Sequence, residues 1–436
     1  MLLIYTHKIT PRIRYIFKQI FQGFLDVEVG FTSGVDEFIA HKGAKISYSR
    51  KPLGNELFFQ SHKILFDQGL NDMDIVVTKW DDVPIFFQVG EKSAMPFDIF
   101  GASFYLLTRF EEYLPHIRDN HNRFSSVESV AYKNGFIKTP VVDIWVNRLY
   151  EILAERFDLK EGNTKKFRFE STIDVGQAYK YKMKGLIRGV SSTLADLSLL
   201  RFTKLYDRAL SVANLRKDPF DSFSFLIRLQ KKYKMRMRYF FLLANYTRYD
   251  RNISYHRADF RSLIKSVGDR AYIGFHPSYY SNIEPKKFKI EKERLEDIIN
   301  YKANGSRQHY IKLQLPETYR NLLDNEINND YSMGFADNIG FRASTSESFY
   351  FYDLDLELQT PLKVHPYAVS DYAMKNELKL SKEEAINEIS RIIAFAKITN
   401  GKFVSLFHND SLGRDEEWEG WRNVYSEMVK LAMSDN

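Results

Sequence analysis

The chain has 436 residues, a formal net charge of +7 and no cysteine. This length is enough for two or three domains with sizeable cores, and the missing cysteine excludes disulfides, a thiol nucleophile and every cysteine-ligated zinc site. The 63 Lys and Arg against 56 Asp and Glu are a mild bias for this size and do not mark a nucleic-acid-binding protein.

Met1 to Tyr5 is apolar, but His7 and Lys8 end the run short of the roughly 7–15 apolar residues of a signal peptide. No stretch reaches the roughly 18 apolar residues of a membrane-spanning helix. With no cysteine and no export signal, the expected location is the cytoplasm. Residues 2–6 read as a strand. Thr10-Pro11 is an N-cap followed by proline at the first helical position. Ile13, Ile16, Phe17, Ile20, Phe21 and Phe24 then recur at helical spacing, with Arg12, Arg14 and Lys18 between them. Such a helix packs on its domain or lies on a membrane surface, and packing is the simpler expectation. Strand-like runs at 75–77 and 85–89 follow, then helices over 100–113 and 141–157. The second helix puts Trp145, Leu149, Ile152 and Leu153 on one face. The polar stretch 160–166 has no apolar anchor and predicts a boundary, giving units 1–164 and 165–436.

Beyond it, short apolar segments alternate with helical ones. The predicted strands are 167–174, 237–244, 271–276, 307–313, 330–336, 362–369 and 402–408. Helices are expected at 219–233, 260–267, 289–300 and 382–399. This alternation predicts parallel βαβ units and an α/β barrel, preceded by a smaller α/β unit. In such barrels the chemistry gathers at the C-terminal ends of the strands. Those ends carry Asp174, His276, Arg307 with His309, Asp371 and His408, and a turn carries Arg342. The basic run 231–238 reads as a helix end, where cations are favoured. The basic, apolar stretch 180–216 reads as helices inserted after the first strand, placed to cover the barrel mouth or to meet a membrane-bound glycan carrier.

Several segments together resemble the polysaccharide deacetylases of the NodB-homology type, carbohydrate esterase family 4. They are Gly274-Phe275-His276-Pro277-Ser278-Tyr279, Ser306-Arg307-Gln308-His309-Tyr310, Asp330-Tyr331-Ser332-Met333-Gly334 and Gly340-Phe341-Arg342-Ala343. Residues 167–412 are similar to that domain, closest to a divergent intracellular branch with an uncharacterised N-terminal part. The Ile9 to Tyr15 stretch resembles that part. The resemblance implies a distorted seven-stranded (β/α) barrel. It also implies a divalent metal, typically zinc, and hydrolysis of an acetyl group on a sugar or polysaccharide precursor. Thr172-Ile173-Asp174-Val175-Gly176 matches the motif T-F-D-D-G, with Asp174 as base; Val175 stands where a metal-binding Asp is usual. The divergent branch often carries that acid one place later, where this chain has Gly176. His276 matches the first imidazole of H-[ST]-x-x-H, and Tyr280 replaces the second. The implied metal set is Asp174, His276 and His309. His408 is the implied general acid, oriented by Asp371, while Arg307 and Arg342 are placed to orient an acid or bind the acetyl oxyanion. The second class of function open to this chain is a barrel without metal that binds or assembles glycans.

Overall fold

The structure is a computed structural model that describes residues 1–157, 165–183 and 202–434. Four short strands open the chain: β1 (Leu2–Tyr5), β2 (Val29–Thr32), β3 (Lys45–Ser49) and β4 (Leu57–Gln60). They form a parallel sheet in the order β2-β1-β3-β4. The helix Pro11–Lys18 starts as its sequence requires, with the Thr10 hydroxyl accepting from the Ile13 N–H at 3.1 Å. It runs into a wider turn at Gln19–Phe24. All six apolar residues of its face are buried, and Phe17 stacks on Phe100 at 3.9 Å. Arg12, expected on the basic face, is buried as well and pairs with Glu357. This helix therefore packs inside the protein.

Two further expectations shift. The run at 75–77 forms no strand and that at 85–89 contributes only Ile85; the hairpin of β5 (Thr78–Trp80) and β6 (Val83–Ile85) lies between them. The helix expected over 100–113 breaks into Ile99–Leu107 and Phe110–Tyr113, because Arg109 between them is left-handed at φ 55°. The helix Val141–Phe157 forms over its predicted span.

The second sheet begins with β7 (Arg168–Val175), β8 (Arg236–Leu242), β9 (Tyr272–His276), β10 (Gly305–Ser306) and β11 (Asn329–Asp330). It continues with β12 (Phe349–Asp353), β13 (Leu358–Val364), β14 (Val369–Ser370) and β15 (Lys402–His408). The order is β12-β13-β11-β10-β9-β8-β7-β15-β14, parallel throughout except for β12 against β13. The parallel run begins at β13 and ends at β14, which are consecutive in the chain and separated only by residues 365–368, so it bends round on itself, with β12 added antiparallel at one edge. Residues 307–313 are not a strand, 330–336 pairs only at its first residue, and 362–369 divides into the end of β13 and the start of β14. The ladder curls far enough that the Tyr367 N–H, just before β14, donates to Met333 O, just beyond β11, at 3.1 Å. Helices link the strands, and one of them, Lys382–Ile398, starts with a capping box of Ser381 and Glu384.

One cluster of buried apolar side chains runs from Leu2 to Ala432, so both sheets share a core. Polar contacts cross between the same parts. The Ser125 hydroxyl donates to Asp337 at 2.7 Å, and the Val142 N–H donates to Ser344 O at 3.1 Å. The boundary expected within 160–166 and most of the insertion expected over 180–216 lie outside the described residues. No helix among the described residues is long and apolar enough to cross a membrane.

Candidate active site

Parallel pairing puts the ends of β7 and β15 side by side, with Asp174 in register with His408. Asp371 follows β14 directly and grips His408 twice. It accepts from His408 Nδ1 at 2.9 Å and from the His408 backbone N–H at 2.7 Å. The Ser411 hydroxyl and the Tyr372 N–H also donate to it. Burial works to lower the His408 pKa, but the charge and hydrogen bond of Asp371, reinforced by Asp174 and Asp410, outweigh it and raise the value to about 9. At neutral pH this imidazole is therefore charged, with Nε2–H as a proton to give. A folded-state pKa above the unfolded value adds stability that is complete below the unfolded value and is lost as pH rises through the folded one. Unfolding free energy measured in urea is accordingly expected to decline from pH 6.5 to about 9. In Asp371→Asn that decline should be much reduced; an unchanged decline would show that this dyad is not its source.

Asp174 is buried beside a second charged group. Arg307 Nη1 donates to Asp174 Oδ1 at 3.2 Å, and Arg307 Nε donates to Tyr331 O at 2.9 Å. The guanidinium lies over Phe240 and Tyr367, with centroid distances of 4.9 and 5.3 Å. Its Nη2 is buried with no partner among the described residues. Burial pushes the Asp174 pKa up; Arg307 and His408 pull against this without reversing it.

Two imidazoles complete the cluster. His276, at the end of β9, directs Nδ1 at Arg307 O, 2.6 Å away, and brings Nε2 to 3.9 Å from Asp174 Oδ2. Burial, with His309 next to it, drives the His276 pKa well below its usual value, so this ring is neutral. The His309 ring centroid is 4.9 Å from that of His276, and its Nδ1 is 3.0 Å from Asp250 Oδ1. His309 sits on a turn rather than on the predicted strand, because Tyr310 and Ile311 are both left-handed at φ 58° and 52°. A β-branched residue is strained there, and Arg123 helps hold the turn through a 2.7 Å hydrogen bond from Nη1 to Tyr310 O.

Both imidazoles thus have Nδ1 occupied and Nε2 free, as metal-ligating histidines commonly do. The donor set is nevertheless short. Among the described residues no group of three or more His, Asp or Glu is placed to hold a metal ion. Arg307, a cation, already occupies one oxygen of Asp174. The expected zinc set of Asp174, His276 and His309 is therefore not formed as three ligands. Gly176 marks the gap. A Cβ built on it would have His309 Nε2 at 3.8 Å as its one close neighbour among the described residues.

Arg342 is held apart from this cluster. It makes a bidentate pair with Glu112 at 2.8 and 2.6 Å and donates to Gly334 O at 3.1 Å. Burial alone would raise the Glu112 pKa, but Arg342 and Arg109 lower it to about 2. The sequence-based role for Arg342 at the oxyanion is thus corrected to a buried clamp between the Phe110–Tyr113 helix and the chain after β11. Arg342→Ala is expected to destabilise the fold by about 3–5 kcal/mol in denaturant titration, the cost of breaking a buried pair. A loss below about 1 kcal/mol would contradict a clamp of this kind.

Sequence reasoning missed two residues. Asp250, in the loop after β8, accepts from the Tyr279 N–H at 2.9 Å as well as facing His309. Hydrogen bonds from His309 and from that backbone outweigh burial and hold its pKa down. His121 reaches Tyr279 OH through Nδ1 at 2.9 Å, and Tyr249 stacks on Tyr279 at 4.1 Å. Neither lies within a predicted strand, so only the assembled mouth shows them.

What the fold and site define is a parallel α/β sheet with an acid–base cluster on its C-terminal edge. A family of unknown function, DUF7033, matches residues 2–158. No curated protein matches the chain. Solved structures similar to it include a presumed polysaccharide deacetylase of Mycobacterium smegmatis at 13% identity, with TM-score 0.40, covering 62% of this chain and 86% of that one. A polysaccharide deacetylase of Bacillus cereus is 12% identical with TM-score 0.29, covering 61% and 86%. A CE4 family pseudoenzyme of Bacillus anthracis is 10% identical with TM-score 0.30, covering 61% and 62%.

Proposed function

We propose that this site hydrolyses an acetyl group on a sugar or polysaccharide precursor, as a carbohydrate deacetylase does. The observation that carries the reading is the pairing in register of Asp174, whose Oδ2 has no hydrogen bond among the described residues, with His408 on the neighbouring strand, held through Nδ1 by Asp371. Asp174 Oδ2 takes a proton from water as it attacks the acetyl carbonyl. The unpartnered Arg307 Nη2–H receives the oxyanion, and His408 Nε2–H protonates the leaving amine or alkoxide. Acetate and the free sugar group result; Asp174 then releases its proton to solvent and His408 regains one from it. No step runs through a metal, because the donors present do not complete a site for one. On this reading the protein works in the cytoplasm, and residues 1–164 and 165–436 are its two units.

A second reading has its own observation. A Cβ at position 176 would lie 3.8 Å from His309 Nε2, and glycine there supplies no carboxylate to complete a ligand set. The protein then binds acetylated glycan without turning it over. The assay that separates the two is acetate release from acetylated oligosaccharides, run beside a binding measurement on the same sugars. Release that survives a chelator supports hydrolysis by the acid–base pair alone. Binding with no release, with or without added zinc, supports the second reading.

A further inference from the structure

The opposite end of the same sheet carries an unexplained concentration of charge. A cavity of about 640 Å³ opens where β7, β8, β13 and β15 begin or pass, far along the strands from Asp174. Seven lysines and arginines line it against a single acid, Glu170. That is a local excess of six positive charges in a chain whose total is +7. Glu170 is already paired with Lys402 at 2.5 Å and with Arg238 at 3.1 Å, and Arg168 is paired with Glu347, beside the cavity, at 2.5 Å.

Helix ends explain only part of this. Lys397 donates to Ser434 O at 2.8 Å, and Lys234 caps the helix Phe223–Tyr233. Arg168, Arg236, Lys363 and Lys402 sit on strands, where no helix carbonyls need them. Among the described residues, Arg236 and Lys363 have no carboxylate within ion-pair distance. The field reaches His365 on the cavity wall. Burial first, then Lys402, Arg238, Lys363 and Arg168, push its pKa well below the usual value. Holding like charges together in a concave site raises the free energy of the empty state, and a dense anion relieves it.

A second cavity of about 770 Å³ adjoins the first and shares Met235 and Arg236 with it. Its walls include Arg238, Arg270 and the exposed rings of Tyr272 and Tyr301. Both volumes lie in the range of small-molecule sites. We propose that this end of the sheet binds an organic diphosphate, the phosphates among Arg168, Arg236, Lys363 and Lys402 and the organic part against Tyr272 and Tyr301. The site is independent of the deacetylation reading.

Calorimetric titration of the full-length protein with inorganic phosphate, pyrophosphate and uridine diphosphate tests it. Pyrophosphate is expected to bind at least about tenfold more tightly than phosphate, as charge-assisted contacts multiply. Uridine diphosphate should bind more tightly still through the tyrosines; equal affinity would support the diphosphate site with an inorganic source. Arg236→Ala and Lys363→Ala should each weaken binding about tenfold while thermal unfolding stays unchanged. Pyrophosphate binding no tighter than phosphate, or unmoved by both substitutions, would overturn the proposal. So would a single-stranded oligonucleotide that displaces pyrophosphate with a steep salt dependence, since the surface would then be a polyanion track.

Discussion

Gly176→Asp is expected to give the protein a zinc affinity at least about a hundredfold above that of the natural chain, because a carboxylate would join two imidazoles already prepared as ligands. The physical case rests on three features. His276 and His309 have Nδ1 occupied by Arg307 O and Asp250, which fixes each ring and leaves Nε2 free. Burial keeps His276 neutral, so no proton has to leave before it can coordinate. Gly176 does not have a positive φ, and a Cβ there meets one described atom, His309 Nε2, at 3.8 Å. The new side chain therefore enters without backbone strain or a clash. Zinc titration by calorimetry, with His309→Ala in the same background as control, reads the result. No gain in affinity, or a gain that survives His309→Ala, would show that the two imidazoles do not face a common point.

Asp174→Asn is the substitution with the largest expected effect on turnover. It is nearly isosteric and keeps a hydrogen-bond acceptor for Arg307 Nη1, so the fold is expected to hold. The amide cannot take a proton from water. The rate of acetate release should fall about 10²- to 10⁴-fold, the usual contribution of a positioned general base. Sugar affinity should change little, which would make this a loss in kcat rather than in KM. Removing the negative charge also removes one of the groups that raise the His408 pKa, so the alkaline limb of the pH profile should move to lower pH. A variant that binds sugar and still releases acetate at the natural rate would remove Asp174 from the chemistry.

Much of this arrangement could be read from the sequence because parallel strands impose it. Once 167–174, 271–276 and 402–408 are strands of one sheet, Asp174, His276 and His408 must end on one edge whatever separates them in the chain. Long strands such as β7 and β15 carry enough apolar residues to be seen. Two-residue strands such as β10 and β11 carry no alternation at all, so their extents were overdrawn. His309 reached the mouth by a different route from the one expected: consecutive left-handed residues at Tyr310 and Ile311 make a turn that a β-branched residue does not advertise. Arg342 was misassigned because its partner Glu112 lies 230 residues away, in a helix of four residues. A buried ion pair and an oxyanion ligand look alike until the partner is located. Asp250 was invisible for the related reason that its work is done through His309.

The central claim is that Asp174 and His408 act as base and acid at one site on an acetylated sugar. The most direct measurement is the pH profile of acetate release from acetylated chito- and xylo-oligosaccharides by the natural chain and by Asp174→Asn. The account predicts release that persists through neutral pH, declines as pH rises through about 9 when His408 loses its proton, and is nearly abolished by the substitution. Sugar binding without release at any pH, or release indifferent to Asp174→Asn, would contradict it.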